Sequence, residues 1–315
     1  MSSDPKIPAV QANPWTALRR YTAARIALGR AGASLPTRPQ LDFQQAHAMA
    51  RDAVHTPLDV ERLCADLDTL GLAPLRLHSA AADRATYLQR PDLGRALSPT
   101  SRQLLEALPP SDPAPDVALV IADGLSAFAV QSHATPLVTA LLPGLKEAQL
   151  SLAPVSVVEQ GRVAVGDEIG ALLQAKLVVL LVGERPGLSA PDSLGVYLTH
   201  APRPGRTDAE RNCLSNIRPE GLSYALAAYR LLALIQESLR RGVSGVALKD
   251  ETDAVVVEGA KLAGVPSVEA MTRNGRPGIS AVNRRVVSGP TLLTTTLFAG
   301  SRLLSGTRNP AMISA

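Results

Sequence analysis

Hydrophobic and polar positions follow two different rhythms along the chain. In residues 15–30, WTALRRYTAARIALGR, the apolar Leu18, Tyr21, Ile26 and Leu28 are set among arginines, which predicts an amphipathic helix closed by Gly29 or Gly32. PTRPQLDFQQAHAMARDAV follows with proline punctuation and then helical spacing. Residues 59–70, DVERLCADLDTL, predict another helix, with Gly71 as its stop and Cys64 on its apolar side. Through about residue 110 the chain reads as helices joined by loops. LPPSDPAPD, residues 108–116, is then the clearest linker, dominated by proline and aspartate.

Beyond the linker the rhythm changes. DVALVIADGLSAFAV reads as a short apolar strand, a glycine turn and a helix start. The stretch from Ala153 to Gly187 gives a strand, a loop, a helix near 167–175 and a second, wholly apolar strand, VVLLVG. Tyr224 to Arg241 predicts a later helix, and SGVALKD a last strand. Continuous Val/Leu strands alternating with helices indicate a parallel sheet covered on both faces. The expected fold is therefore α/β. A helical N-terminal region, residues 1–110, precedes a Rossmann-like parallel-sheet domain, residues 111–251. Ligands of such sheets bind beyond the carboxyl ends of the strands. Three loops should share that edge: Asp123 to Ser126, Glu159 to Val163, and Gly183-Glu184-Arg185-Pro186-Gly187.

Composition narrows the function classes. At 315 residues and 46% apolar, the chain can bury a sizeable core, but aromatics are only 3%, which argues against a base-stacking platform. The formal charge of +4 comes from dispersed arginines with acids between them, so neither a nucleic-acid arm nor a polybasic membrane segment is expected. Two distant cysteines, Cys64 and Cys213, exclude a disulfide scaffold and fit a reducing compartment. No stretch has the length of a signal peptide or a membrane span, so a soluble intracellular protein is expected.

Familiar catalytic motifs are missing. There is no G-x-x-x-x-G-K-[ST], and no G-x-G-x-x-G follows a strand. Ser126 sits in D-G-L-S rather than G-x-S-x-G. The histidines (His47, His55, His78, His133 and His200) show no metal-ligand spacing and read as satisfied surface or core residues. The densest polar run is HAPRPGRTDAERNCLSNIRPEGLSYA, residues 200–225, read as a long loop. Such a loop is either a solvated connection or a functional element, and its Asn and Arg side chains suit a ligand with many amides or hydroxyls. Residue patterns alone thus reach a Rossmann-like domain that binds a large polar cofactor.

Specific motifs go further. ARIALGRAGASLPTRPQLDFQQAHAMARDAVH, YLQRPDLGRALS, VIADGLSAFAV and GLKEAQLSLAPVSVVEQGRVAVGDEIG lead into the G-E-R-P-G and E-R-N-C-L-S-N-I motifs. Over about residues 14–251 the chain resembles the small (light) subunit of ethanolamine ammonia-lyase, an adenosylcobalamin-dependent family. The resemblance implies a lyase that converts ethanolamine to acetaldehyde and ammonia. It also implies a large subunit that carries the substrate and most of the radical chemistry, and a hetero-oligomer in which the cobalamin lies between the two chains. No catalytic residue and no metal ligand is then expected in this chain. The family's cofactor-contacting positions fall on Val163, Glu184 and Cys213. Val163 would give apolar contact, Glu184 would accept hydrogen bonds from corrin amides or a ribose hydroxyl, and Cys213 would be a small soft surface. No D-x-H-x-x-G surrounds any histidine, in agreement with the base-on binding expected of the family. The alternative reading is a stand-alone cobalamin carrier or sensor, which would bind the cofactor without a partner. The resemblance admits two locations, the cytoplasm and the interior of a bacterial microcompartment. Residues 252–315 match no part of the family pattern and stand as an unassigned C-terminal extension, for which disorder is one expectation.

Overall fold

The structure is a computed structural model that describes residues 9–252; apart from Thr252, the unassigned C-terminal extension lies outside the described residues. After a 3-10 segment at Pro14–Tyr21 come α1 (Thr37–His55), α2 (Val60–Thr69), β1 (Leu75–His78), α3 (Arg84–Gln89) and α4 (Pro99–Glu106). Then follow β2 (Val117–Ala122), α5 (Ala127–Glu147), β3 (Ser156–Glu159), α6 (Val165–Leu172) and β4 (Leu177–Gly183). Two further strands, β5 (Leu194–His200) and β6 (Arg211–Ile217), precede α7 (Tyr224–Arg241).

The strands form one sheet in the order β1-β3-β2-β4-β5-β6. The first four in that order are parallel, while β5 and β6 run antiparallel at one edge. This is the α/β class that the apolar runs predict. Every residue of β2 and β4 is buried because both faces of the sheet are covered. Side chains alternate between two core layers. Leu119, Ile121, Val179 and Leu181 meet α2, α5 and α7 on one side. Val120, Val178 and Leu180 meet Val165 and Ile169 of α6 and Leu105 of α4 on the other. Fully burying such aliphatic side chains is worth about 1.5–3 kcal/mol each, so the centre of the sheet is a rigid base for its rim.

Four local expectations are corrected. The helix expected over 15–30 shrinks to the 3-10 segment, none of whose residues is buried. Its apolar side chains have no layer to enter, and Ala27 and Gly29 take positive φ values of 52° and 79°. SGVALKD is a 3-10 turn at Gly245–Ala247 rather than a strand, with Gly245 at φ 71° and Val246 exposed. The N-terminal region is not purely helical, since β1 pairs in parallel with β3, Leu75 opposite Ser156. The polar run at 200–225 is not one loop, because it contains β6.

Much of the N-terminal segment is apolar and uncovered. Trp15 and Tyr21 are each 66% exposed, and Leu41, Phe43 and Met49 of α1 are exposed too. The 19-residue α1 buries only Ala53. No helix among the described residues is long and apolar enough to cross a membrane.

Candidate functional site at the carboxyl edge of the sheet

The three loops expected at the carboxyl edge meet there, and a buried carboxylate joins two of them. Asp123, at the end of β2, accepts a hydrogen bond from the Gly161 backbone N–H at 2.9 Å and lies 3.6 Å from the Arg84 guanidinium. Arg84 donates to the carbonyls of Val54 (2.7 Å) and Gly124 (2.8 Å), which ties the end of α1 to the same corner. Burial pushes the Asp123 carboxyl up to about 6, against the opposing pull of Arg84. Both the Arg84 and Arg162 guanidinium groups lie over the ring of buried Tyr87, at 4.6 and 4.4 Å. Arg162 also donates to the Tyr87 carbonyl at 3.0 Å. The residue before Val163 is therefore clamped, and Val163 leads directly into α6. Ser126 is no nucleophile candidate: its hydroxyl caps α5 through the Ala129 N–H and donates to the Pro191 carbonyl.

Glu184 follows β4 and is held by its own chain. One carboxylate oxygen accepts from Ser193 and from the Asn216 backbone N–H (3.3 Å), the other from Ser215 at 2.5 Å. A carboxylate offers about four acceptor positions, so most of its capacity is spent internally. Gly195 makes room for it, since a Cβ there would sit 2.9 Å from a Glu184 oxygen.

Cys213 faces Tyr197 across the β5–β6 pairing. Its thiol is exposed, unlike that of Cys64. Desolvation by its neighbours pushes the Cys213 thiol up; the Tyr197 hydrogen bond opposes this and the Glu184 charge adds to it. A thiol raised in this way is a poor nucleophile at neutral pH. Two residues earlier on the same face of β6, Arg211 makes two 2.6 Å hydrogen bonds to Asp167 in the first turn of α6. Both side chains are almost wholly buried, at 3% and 1% exposure. Burial raises the Asp167 carboxyl while Arg211 opposes it. The pair spans the gap between the helix that Val163 introduces and the strand that carries Cys213.

Two cavities lie along this gap and share Arg162 and Val163 as lining. One, of about 400 Å³, is lined by Gly124, Leu125, Glu184, Tyr197 and Ser215 among others. The other, of about 710 Å³, runs past Arg95, Arg102, Arg206 and Arg211. Val163 borders both and Glu184 borders the smaller. Cys213 lines neither directly but lies on β6 between Arg211 and Ser215, which do. Val163 and Glu184 thus border the trough, and Cys213 lies on the strand between two of its lining residues. Tyr197, Ser215, Arg95 and Arg162 also border it, and sequence reading did not single them out.

Comparison with known proteins gives the chain's family. The family model of the ethanolamine ammonia-lyase light chain (EutC) matches residues 12–249. The chain belongs to that family. The ethanolamine ammonia-lyase small subunit of Ralstonia nicotianae is 59% identical over 253 residues, 80% of this chain and 94% of the relative. The small subunit of Azotobacter vinelandii is 60% identical over 249 residues, 79% of this chain and 92% of its own. That of Pseudomonas fluorescens is 58% identical over 254 residues, 80% and 93%. The resemblance carried by the G-E-R-P-G and E-R-N-C-L-S-N-I motifs is thereby established, and the chain is a small subunit of an ammonia-lyase. A small subunit implies a large one. As an ethanolamine ammonia-lyase small subunit, the chain has the trough described above at the edge of its sheet.

Proposed function

We propose that the trough is this chain's half of an adenosylcobalamin site completed by the large subunit of an ethanolamine ammonia-lyase, the enzyme that converts ethanolamine to acetaldehyde and ammonia. The observation that carries this reading is that Val163 and Glu184 border one trough, with Cys213 on the strand beside it opposite Tyr197, in a chain of the small-subunit family. The donor set fits a corrinoid, a broad ring edged with neutral amides and bearing an anionic tail. Glu184 keeps an acceptor position for an amide, Tyr197 and Ser215 add hydroxyls beside it, and Val163 offers an apolar shelf.

When bound, adenosylcobalamin supplies a carbon-centred radical through homolysis of its cobalt–carbon bond. The chain's own residues position and shield it. Ser193, Ser215 and the Asn216 N–H hold the Glu184 side chain in place before any ligand arrives, so little ordering cost is left for binding. Asp123 and Arg84 fix the loop that presents Arg162 and Val163. Shielding from water protects reactive intermediates, and a lid built on a rigid sheet serves that end. The uncovered apolar surface of the N-terminal segment, Trp15, Tyr21 and Phe43 included, supports a chain that works docked to a partner.

The test is reconstitution. The chain mixed with its large subunit should release acetaldehyde and ammonia from ethanolamine only when adenosylcobalamin is added, and the chain alone should release none. Turnover by the isolated chain, or turnover of the pair without cobalamin, would overturn the reading. Cobalamin binding by the isolated chain as tight as by the pair would favour a stand-alone carrier.

A further inference from the structure

The larger cavity carries more arginine than its own acids balance. Five arginines border it: Arg95, Arg102, Arg162, Arg206 and Arg211. Three are neutralised from within the chain. Arg102 pairs with Glu168, Arg206 with Glu210, and Arg211 with Asp167 through two bonds and with Asp208 at 3.5 Å. Arg95 and Arg162 have no carboxylate partner among the described residues. Arg95 is exposed, and Arg162 spends one terminal nitrogen on the Tyr87 carbonyl while its Nε is buried without an acceptor. Two cations that border a cavity and lack a counterion are costly once a partner chain excludes water from them.

A singly charged, forked acceptor removes that cost. The planar guanidinium matches the geometry of phosphate oxygens better than that of a carbonyl or hydroxyl. The smaller cavity, with one carboxylate and two hydroxyls, suits neutral amides instead. We infer that Arg95 and Arg162 form an anion subsite in the larger cavity that takes the phosphodiester of the corrinoid's nucleotide tail. This assignment rests on the cofactor reading above. It divides the trough by chemistry, with the ring edge beside Glu184, Tyr197 and Ser215 and the charged tail beside the two unpaired arginines. Val163 and Arg162 mark the boundary, because both border both cavities.

The experiment compares two corrinoids on the assembled large–small complex, with binding followed by visible absorption in equilibrium dialysis. Hydroxocobalamin carries the phosphodiester tail, whereas dicyanocobinamide keeps the ring and lacks the nucleotide tail. Arg95→Gln removes a charge without breaking a side-chain hydrogen bond or ion pair among the described residues. It should weaken hydroxocobalamin by about ten-fold and leave dicyanocobinamide within about two-fold. Arg162→Lys keeps the charge but loses the fork and the guanidinium bond to the Tyr87 carbonyl, and should weaken hydroxocobalamin by more than dicyanocobinamide. Inorganic phosphate in excess should compete with hydroxocobalamin and not with dicyanocobinamide. Equal losses for both corrinoids, or no loss for hydroxocobalamin, would overturn the subsite. So would a loss confined to subunit association, which would assign the arginines to acids of the large chain. Failure of the unsubstituted complex to bind either corrinoid would sink the cofactor reading itself, which is a different result.

Discussion

Removing one member of the Asp167–Arg211 pair should cost far more than removing both. The two side chains are 1% and 3% exposed and share two 2.6 Å hydrogen bonds. Arg211 also donates to the Thr199 hydroxyl at 3.1 Å and the Arg206 carbonyl at 2.9 Å. Deleting one ion of such a pair strands the other in a medium that cannot solvate it, a loss of roughly 3–5 kcal/mol. Replacing both by apolar residues of similar volume removes the attraction and the desolvation cost together, and comes out near neutral. Asp167→Leu and Arg211→Met should therefore each lower the unfolding free energy of the chain by about 3–5 kcal/mol in urea titrations. The double variant should lose less than either, giving a coupling energy of at least about 3 kcal/mol in the double-mutant cycle. Function should follow the same order, because the pair sets the distance between α6 and β6. Cofactor affinity of the reconstituted complex should fall in the single variants and largely return in the double one. Additive losses would show that the pair is a solvated surface contact and that the width of the trough is set elsewhere.

Glu184→Ala should raise the apparent KM for adenosylcobalamin in the complex by about ten-fold while changing kcat much less; an unchanged KM would remove this residue from the cofactor's surroundings. Gly195→Ala should have a similar effect, since the new methyl would lie 2.9 Å from a Glu184 oxygen and displace it; binding that does not change would show that the carboxylate's placement is irrelevant. The buried Asp123 gives a pH signature. Its carboxyl is raised from the ordinary 3.8 to about 6, so the fold favours the protonated acid. The stability it contributes is complete below about pH 4 and is lost as the pH rises through 6, by about 3 kcal/mol in total. Asp123→Asn should flatten that slope in urea titrations between pH 4 and 7, and an identical slope in both proteins would refute the burial argument.

The parts legible in the sequence are those where burial is two-sided. VALVIA of β2 and LVVLLVG of β4 are apolar throughout because helices cover both faces, and they announced a parallel sheet. β6 stayed hidden because it is an edge strand with one polar face, and Arg-Asn-Cys-Leu-Ser-Asn-Ile reads as a charged loop until Arg211 is seen to reach Asp167, 44 residues earlier. The four-residue β1 is too short to show a period. At the site, Glu184 was visible because a carboxylate boxed between glycine and proline ends an apolar strand. Its supports were not, since Ser193 and Ser215 come from the flanks and interior of antiparallel strands whose register depends on tertiary pairing. The modest expectation for histidine held for His133, which is buried between the Tyr224 hydroxyl at 2.7 Å and Asp192 at 3.3 Å.

If the β5–β6 face carrying Cys213 lies against the cofactor, the thiol itself reports on it. Cys213 is exposed and Cys64 is buried, so alkylation at mildly alkaline pH followed by peptide mass spectrometry distinguishes the two. In the assembled large–small complex, Cys213 should be alkylated slowly but measurably without cobalamin and protected once hydroxocobalamin is bound, with Cys64 unreactive in both. Equal labelling of Cys213 with and without the corrinoid, under conditions where the corrinoid is shown to be bound, would contradict the account.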